Sequence, residues 1–457
     1  MMMSMFSSVS GLRAHQTSMD VIANNIANIN TVGFKSSRTT FQEIFALTLS
    51  AAGAPDPGSG RGGTNPMQVG LGMNVNAIDL MMGRGSVQRT ESPTDLSIEG
   101  EGFFVVRGGT EGAFCFTRAG NFTIDKLGNL VTPSGQNVYG WMKYTYGDNG
   151  YEFDTQEPLM PINLYTDIYN SNKRIIAAKV TTEAVFAGNL DATAVAIGGS
   201  STTADNLKPN TPPDTSDIDP HFIVPFTVYD DLGNEYKVNI KMWKYHVLNG
   251  DDPQTSWYYE IDGGAKSSTG SASGYLLFDS TGKIKTDNTN FPVNVPVTFT
   301  PNNDIGAKAF EVNLNFEQLS MYADDSSVKA IRVDGYAPGT LVTFSIGSDG
   351  VITGVYDNGR QQPLGIIALA TFENPAGLVK VGANQFMETT NSGTFSAGKI
   401  PGRDGAGTLV PGTLEMSNVD LAKQFTEMII TQRGFQANSR VMTTSDEILQ
   451  ELANIKR

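Results

Sequence analysis

The chain has 457 residues, enough for two to four domains and at least one sizeable core. Charged residues make up 17% of it, against roughly 25% in a typical soluble protein, and its 49 glycines favour a strand-and-turn architecture. The net charge of −15 disfavours nucleic-acid binding, which needs basic patches. The single cysteine, Cys115, excludes an intrachain disulfide.

Residues 4–30 have the pattern of an amphipathic helix. Apolar residues recur every seven positions, which predicts a helix with one apolar stripe, at Met5, Leu12, Met19 and Ile26. The polar face carries almost no charge, so we expect it to contact protein rather than solvent. The stripe runs into NNIANINTVGFK (24–35), although asparagine is a poor residue for a helix interior. We interpret these asparagines as packed polar groups at the end of the helix.

The N-terminal segment does not resemble a secretory leader. MMMSMFSSVSGLRAHQ (1–16) has no basic start and no uninterrupted apolar core of the required length. No stretch of the chain approaches the roughly 20 apolar residues of a membrane span. We therefore expect no membrane insertion and, if the protein leaves the cytoplasm, a route that needs no cleaved signal peptide.

The middle of the chain carries the signals of β-structure. After a Gly- and Pro-rich loop at 51–66, apolar alternating runs surround Asp/Gly or Asn/Gly turns, which are hairpin signatures, at 122–132, 226–240, 275–285 and 344–360. No helical pattern longer than two turns is convincing between about 50 and 410. Residues 146–335 hold 26 acidic and 13 basic residues, which leaves 21 and 19 for the rest of the chain. The acidic surplus therefore belongs to one central domain.

Candidate chemical sites in this region are weak. GSGRGG (58–63) matches the glycine spacing of a dinucleotide-binding loop, but no predicted strand precedes it. Three aspartates, Asp214, Asp217 and Asp219, are compatible with weak calcium binding, but a solvated loop is the better explanation. The three histidines are widely spaced. We predict no enzymatic activity, no catalytic or metal site and no cofactor.

The C-terminal segment predicts a second long helix of about 40 residues. Its heptad series favours a coiled-coil seam and consists of Leu421, Phe425, Met428, Phe435, Met442 and Leu449. Ser417 followed by Asp420 suggests a capping box at its start. Gly11 and Gly434 lie inside the two helices, where close helix approach would explain them. The helices either pair as a stalk within one molecule or leave apolar surface for other copies.

The predicted fold class is therefore mixed, with long terminal α-helices forming a coiled-coil-like inner domain and all-β domains inserted between them. We predict four regions: terminal helices at 1–30 and 413–457, an extended linker region at 31–78 and 400–412, an inner β domain at 79–150 and 333–399, and an outer β domain, possibly two, at 151–332.

Four motifs resemble the flagellar rod and hook axial proteins. The first is NNIANINTVGFK, where the family signature is carried by Asn25, Ile26, Ala27, Asn28, Thr31, Gly33, Phe34 and Lys35. LSIEGEGFFVV with FTRAGNFTID (96–106, 116–125) resembles the family's inner β domain, and 354–393 resembles its returning half. LEMSNVDLAKQFTEMIITQRGFQANSRVMTTSDEIL (414–449) is similar to its C-terminal helix.

The resemblance implies a structural subunit of the bacterial flagellum that self-assembles into a hollow curved tube, a flexible joint that transmits motor torque. The long segment after Phe34 and the large insert favour a hook subunit; a distal rod subunit is the alternative, and a secreted β-rich adhesin or glycan-active protein a remote one. Implied partners are copies of the chain, rod, hook cap and hook–filament junction proteins, and the flagellar type III export apparatus. The implied location is the extracellular flagellum.

Overall fold

The computed structural model describes residues 2–55, 62–109, 112–147, 150–169, 171–201, 207–208, 213, 215, 218–250, 252–263, 266–267, 273–285, 291–301 and 306–455. Most of the glycine motif at 58–63 lies outside these residues, as do Asp214 and Asp217 of the aspartate cluster. The described chain is mostly β, with one helix at each end, which confirms the coarse fold class expected from the sequence.

The two predicted terminal helices are present as α1 (Met2–Ala27) and α2 (Leu421–Ile455). They lie antiparallel, because positions that ascend along α1 meet positions that descend along α2. No α-helix lies between them in the described part of the chain, as the sequence predicted.

The start of α2 differs from the prediction. Asp420 is itself the N-cap, since its Oδ1 accepts hydrogen bonds from the backbone N–H groups of Ala422 (2.9 Å) and Lys423 (3.2 Å). Ser417 Oγ instead accepts from Val419 N (3.4 Å), before the helix begins. The predicted capping box is therefore wrong, because one carboxylate already satisfies the first free N–H groups.

The chain forms two compact units. The helix-bearing unit comprises the residues up to Lys173, Phe344–Gly354 and the residues from Gln362 onward. The insert unit comprises Arg174–Thr343 and Val355–Gln361.

The strands in the first part of the helix-bearing unit are β1 (Ser37–Glu43), β2 (Ala46–Ser50), β3 (Met67–Gly70), β4 (Met73–Leu80), β5 (Val87–Arg89), β6 (Leu96–Glu99), β7 (Phe103–Arg107), β8 (Cys115–Thr117), β9 (Thr123–Ile124), β10 (Leu130–Val131), β11 (Asn137–Trp141), β12 (Tyr144–Gly147), β13 (Gly150–Phe153), β14 (Met160–Pro161), β15 (Thr166–Asp167) and β16 (Ser171–Asn172).

The strands that follow are β17 (Ile175–Ile176), β18 (Glu183–Asp191), β19 (Ser200–Ser201), β20 (Phe222–Tyr229), β21 (Glu235–Leu248), β22 (Gln254–Gly263), β23 (Lys266–Ser267), β24 (Ser273–Phe278), β25 (Asn294–Thr300), β26 (Phe310–Tyr322) and β27 (Lys329–Val333). The last are β28 (Gly339–Ile346), β29 (Val351–Tyr356), β30 (Gln361–Ile367), β31 (Leu369–Ala370), β32 (Val379–Gly382), β33 (Gln385–Met387), β34 (Thr408–Pro411) and β35 (Thr413–Glu415).

The sheet of the helix-bearing unit is built around β7 and β11, which pair antiparallel. β8, β33 and β32 continue it beyond β7, and β30 pairs with the other side of β11. Its core is aromatic, with Phe116 packed edge-to-face against Phe372 at 4.7 Å between ring centroids. Two short pairs, β6 with β34 and β5 with β35, bring the C-terminal segment beside the N-terminal one.

The insert unit is a β-sandwich. One sheet has the order β23-β25-β26-β18-β27, with β18 parallel to β26; the other has the order β19-β21-β22-β24, with β20 beside β21. Side chains of both sheets meet in one core, among them Phe186 and Leu314 from the first and Ile240 and Trp257 from the second. Buried residues alternate with more exposed ones along β20 and along β21 up to Met242, which explains why the sequence predicts β-structure here.

Three of the four predicted hairpin regions contain paired or neighbouring strands. β9 pairs with β10 within 122–132, and β20 pairs with β21 around 226–240. β28, β29 and β30 are successive neighbours across 344–360. At 275–285 only the first strand forms, and its return is reduced to one bridge, between Phe278 and Ile284.

Candidate functional site

The signature segment lies where α1 meets both α2 and the first strand. Asn25 is almost fully buried, and its Oδ1 accepts a hydrogen bond from Ser37 N (3.0 Å). Its Nδ2 donates to Ser37 O (2.8 Å) and to Gln424 Oε1 of α2 (3.0 Å). One amide therefore joins the end of α1, the start of β1 and the partner helix.

The residues after Asn25 shape the turn that follows α1. Ile26 and Asn28 are half-buried and Ala27 is exposed. Asn28 Nδ2 donates to Asn24 O (2.9 Å), and Thr31 Oγ1 donates to Asn28 Oδ1 (3.1 Å). These local bonds link the last turn of α1 to the residues that follow it.

Gly33 is required by the backbone at this point. Its φ is +68°, and a Cβ there would lie 2.6 Å from Ala119 N. Its N–H donates to Glu415 O at 2.7 Å. The next residue, Phe34, is buried beneath the Lys380 ammonium, which lies 4.8 Å from the ring centroid.

Lys35, the last signature residue, belongs to a buried ion cluster. Its Nζ lies 2.7 Å from Glu415 Oε1, and Arg118 Nη1 lies 3.4 Å from Glu415 Oε2. The three side chains are 1%, 4% and 0% exposed for Lys35, Arg118 and Glu415 respectively. Lys35 also donates to Gly83 O (2.9 Å), and Glu415 Oε1 accepts from Gly85 N (3.0 Å). The cluster thus joins four segments that are far apart in sequence.

The electrostatics of the cluster follow from burial and pairing. Burial lowers the pKa of Lys35 and that of Arg118, and outweighs the opposing attraction of Glu415. Burial raises the pKa of Glu415, but Lys35, the Gly85 N–H and Arg118 together outweigh burial and hold the carboxyl pKa below its usual value. Glu415 is therefore the anion that keeps two buried cations compatible with the folded state.

Further hydrogen bonds reinforce the same junction. Asn418 Oδ1 accepts from Ser36 N (2.8 Å), and its Nδ2 donates to Met81 O (2.7 Å). Lys380 Nζ donates to Lys35 O (2.9 Å). We call Gly33, Lys35, Arg118, Glu415 and Asn418 the clasp, because they tie the segments next to both helices to the β part of the unit.

The residues predicted for self-assembly are not the innermost ones of the helix pair. Half-buried positions are Met5, Leu12, Met19, Ile26, Met428 and Met442, and exposed positions are Leu421, Phe425, Phe435 and Leu449. Where the helices touch, Asn438 lies against Gly11 and His15 lies against Gly434. The two glycines are thus close-approach points, and the exposed part of the apolar stripe lies on α2.

Sequence reasoning suggested close helix approach at Gly11 and Gly434 and packed asparagines at the end of α1, as the structure shows, but it missed the rest of the seam and three clasp residues, Arg118, Glu415 and Asn418. A second seven-residue series of small and polar residues is present, at Gly11, Ser18 and Asn25 in α1 and at Gln424, Thr431, Asn438 and Ser445 in α2. Hydrophobicity alone favoured the other series. Arg118 and Glu415 lie inside the motifs at 116–125 and 414–449. Each is a single charge in or beside a short strand-forming segment, and this is the sequence signal that could have indicated a buried ion pair.

Two further properties bear on function. Within the described residues, no group of three or more His, Cys, Asp or Glu side chains is placed to hold a metal ion. Neither described helix is both long and apolar enough to span a membrane.

Comparison with known proteins assigns the chain to a class. Four family models match: flagella basal body rod protein at residues 5–35, the D1 domain of flagellar hook protein FlgE/F/G at 97–181, the flagellar basal body protein FlaE D2 domain at 189–336, and the C-terminal model of flagellar basal body rod protein FlgEFG at 410–455. The helical ends and the clasp between them therefore define an axial structural protein of the flagellum.

Full-length relatives narrow the class. The chain is 38% identical to flagellar hook protein FlgE of Borreliella burgdorferi and 38% identical to that of Treponema pallidum, over 100% of each chain. It is 30% identical, also over 100% of each chain, to flagellar basal-body rod protein FlgG of Bacillus subtilis. The higher identity and the matched insert place it with the former: the chain belongs to the flagellar hook protein family. It is a structural subunit of the hook.

Proposed function

We propose that copies of this chain assemble helically into a hollow curved tube, which acts as a flexible joint between motor and filament. In this tube, α1 and α2 form a coiled-coil-like inner wall, and the β units lie outside it. The observation that carries the proposal is the apolar face of the helix pair that the fold leaves uncovered.

That face contains large apolar side chains that are exposed to solvent in the single chain. Phe425 is 50% exposed and Ile430 is 65% exposed, and Phe6, Ile429 and Ile448 are exposed as well. Contiguous exposed apolar surface usually marks an interaction site. Burying each such side chain contributes roughly 1.5–3 kcal/mol, so five contribute on the order of 10 kcal/mol per copy. That is enough to offset part of the ordering that association requires.

The clasp supports the torque-transmitting role. A turning inner wall can drive the outer layers only if the helix pair is fixed to the β part of its own subunit. Lys35, Arg118 and Glu415 join these parts by contacts between buried side chains, whose pairing is screened little by salt. We infer that the clasp carries load from the helices to the sheet.

The four-region division predicted from sequence remains our proposal for the tube, with 151–332 as the outer domain. The compact insert unit, Arg174–Thr343 with Val355–Gln361, supports an outer domain close to these bounds. Its acidic surplus fits outer domains whose polar contacts with neighbouring subunits rearrange easily as the tube bends. Deleting residues 151–330 should alter curvature or bending stiffness, and tubes that are unchanged would contradict this role.

Family membership supports the remaining assignments. We propose export as an unfolded chain through the flagellar type III apparatus, an extracellular location in the flagellum, and contacts with rod, hook cap and hook–filament junction proteins. No catalytic step is proposed.

Electron microscopy of whatever the purified full-length chain polymerises into tests the proposal. We expect hollow tubes that are curved or bend readily. Straight, stiff tubes would favour a distal rod subunit, the alternative kept open by the FlgG relative. A chain that stays monomeric at high concentration would contradict both.

A further inference from the structure

Another buried cation, Lys173, lies in the helix-bearing unit and makes none of the clasp contacts. Lys173 is the last residue before the chain passes into the insert unit. Its side chain is 1% exposed, and that of its ion-pair partner Asp167 is 0% exposed. A long, strongly hydrated ammonium is rarely buried in this way without a specific set of acceptors.

The oxygen acceptors of Lys173 come from two segments, 163–167 and strand β30, and Met142 Sδ at 3.7 Å is a weaker acceptor from a third segment. Its Nζ donates to Leu364 O (2.6 Å) and to Asn163 O (3.3 Å), and it forms the ion pair with Asp167 Oδ2. Leu364 follows closely on Gln362, where the chain returns to the helix-bearing unit. One ammonium therefore links the residue at the exit with the strand at the return.

The chemistry of these contacts fits lysine. An ammonium has N–H donors and no acceptor, and the groups around this one, the Leu364, Asn163 and Asp167 oxygens and Met142 Sδ, all accept. Burial lowers the pKa of Lys173, and its hydrogen bond to Asp167 acts in the opposite direction. An apolar side chain of the same length would fill the space, but it would leave the Leu364 and Asn163 carbonyls without this donor.

We propose that Lys173 is a positioning residue. It holds the segment that leads into the insert unit, residues 163–173, against strand β30, through which the chain returns, and so fixes these two connections of the helix-bearing unit. This inference rests on the proposed function, in which load passes from the helices to the insert unit, and two of the four chain connections between the units adjoin these segments. It adds a second anchor, since the clasp secures the helices and Lys173 secures these two connections.

The test uses the full-length chain and hydrogen exchange measured by mass spectrometry, read separately for residues 163–176, for 361–367 and for strand β7. Three variants are compared with the wild type: Lys173→Met, the double variant Lys173→Met with Asp167→Asn, and the control Lys143→Met. Asparagine keeps the Oδ1 acceptor that Tyr169 N uses at 2.7 Å. Lys143 lies in the same unit and pairs with Asp154 at 3.2 Å, but it is about one-third exposed.

Lys173→Met should lower protection in both segments and in β7 by roughly a hundredfold or more, because the buried Asp167 carboxylate loses the ammonium it pairs with. The double variant should regain wild-type protection in β7, since the Asp167 charge is also removed, while 361–367 stays at least about tenfold less protected, because the Leu364 carbonyl has lost its donor. The control should match the wild type in all three regions.

Two results would overturn the inference. One is full recovery of exchange protection at 361–367 in the double variant, because methionine would then hold the two segments together as well as the ammonium does. The other is Lys173→Met with unchanged protection at 361–367. Electron micrographs of the wild-type chain test the proposed function separately. If no tubes form, the proposed function is contradicted, while the exchange data still decide the role of Lys173.

Discussion

Replacing Glu415 by glutamine tests the clasp with a change of one charge and almost no change of shape. Glutamine keeps an oxygen that can accept from Gly85 N, which now lies 3.0 Å from Oε1. It removes the negative charge that Lys35 Nζ meets at 2.7 Å and Arg118 Nη1 at 3.4 Å. Two cations would then remain buried near one another without their anion.

The expected loss can be set from burial. Removing one partner of a buried ion pair is destabilising by about 3–5 kcal/mol, because the remaining charge is uncompensated. The matched control is Glu99→Gln: Glu99 pairs with Arg84 at 2.9 Å, but these side chains are 58% and 38% exposed. An exposed pair contributes at most about 1 kcal/mol, so the two substitutions should differ clearly.

The assay is hydrogen exchange of the slowest amides of β7 and β11 in the full-length chain, which reports opening of the helix-bearing unit. Glu415→Gln should accelerate their exchange by roughly a hundredfold or more, since about 1.4 kcal/mol corresponds to a factor of ten. Glu99→Gln should change it by less than about tenfold. Similar, small effects of both substitutions would refute the view that the buried cluster secures the junction.

Three other predictions concern backbone, pH and assembly. Gly33→Ala should lower the free energy of unfolding by roughly 2–3 kcal/mol, and Gly135→Ala by about 1 kcal/mol. Both glycines have positive φ, but only at Gly33 would the added Cβ meet backbone atoms. Equal losses of the two variants in urea titration would contradict this. Burial raises the pKa of Asp334, but hydrogen bonds from backbone N–H groups, a threonine and a lysine outweigh burial and hold the pKa at about 2. Protonation of this carboxyl should therefore lower the free energy of unfolding of the insert unit by about 2 kcal/mol as the pH falls from 3.8 through 2. Asp334→Asn should abolish that contribution in acid titration. Ile430→Ser should raise the concentration needed for assembly in sedimentation assays, whereas the equally exposed Leu127→Ser should not; matching shifts would argue against the helical face.

Much of the architecture could be predicted because its signals are local. The heptads of both ends give the helices, and alternation around Asp and Gly turns gives hairpins such as β20 with β21. The insert reads as β because its strands bury every second residue against the opposite sheet. Within 275–285 the second arm of the predicted hairpin is a single bridge between Phe278 and Ile284, and the local pattern does not indicate which sheet edge is free to pair.

The seam and the clasp could not be predicted in the same way. Two seven-residue series run along α1, and hydrophobicity favours the one beginning at Met5. The structure places Gly11 and Asn25 against α2 instead, because a small residue permits close approach and an amide can be satisfied by Gln424. The contact between Lys35 and Glu415 joins residues that are far apart in the chain, and no periodicity marks such a pair.

A cryo-microscopy map of the assembled full-length chain, at a resolution that shows side chains, tests the central claim most directly. The account predicts that α1 and α2 line the lumen and that Phe425, Ile429 and Ile430 are buried against neighbouring copies. A tube in which these three side chains face solvent, or whose wall is made by the insert unit, would contradict it.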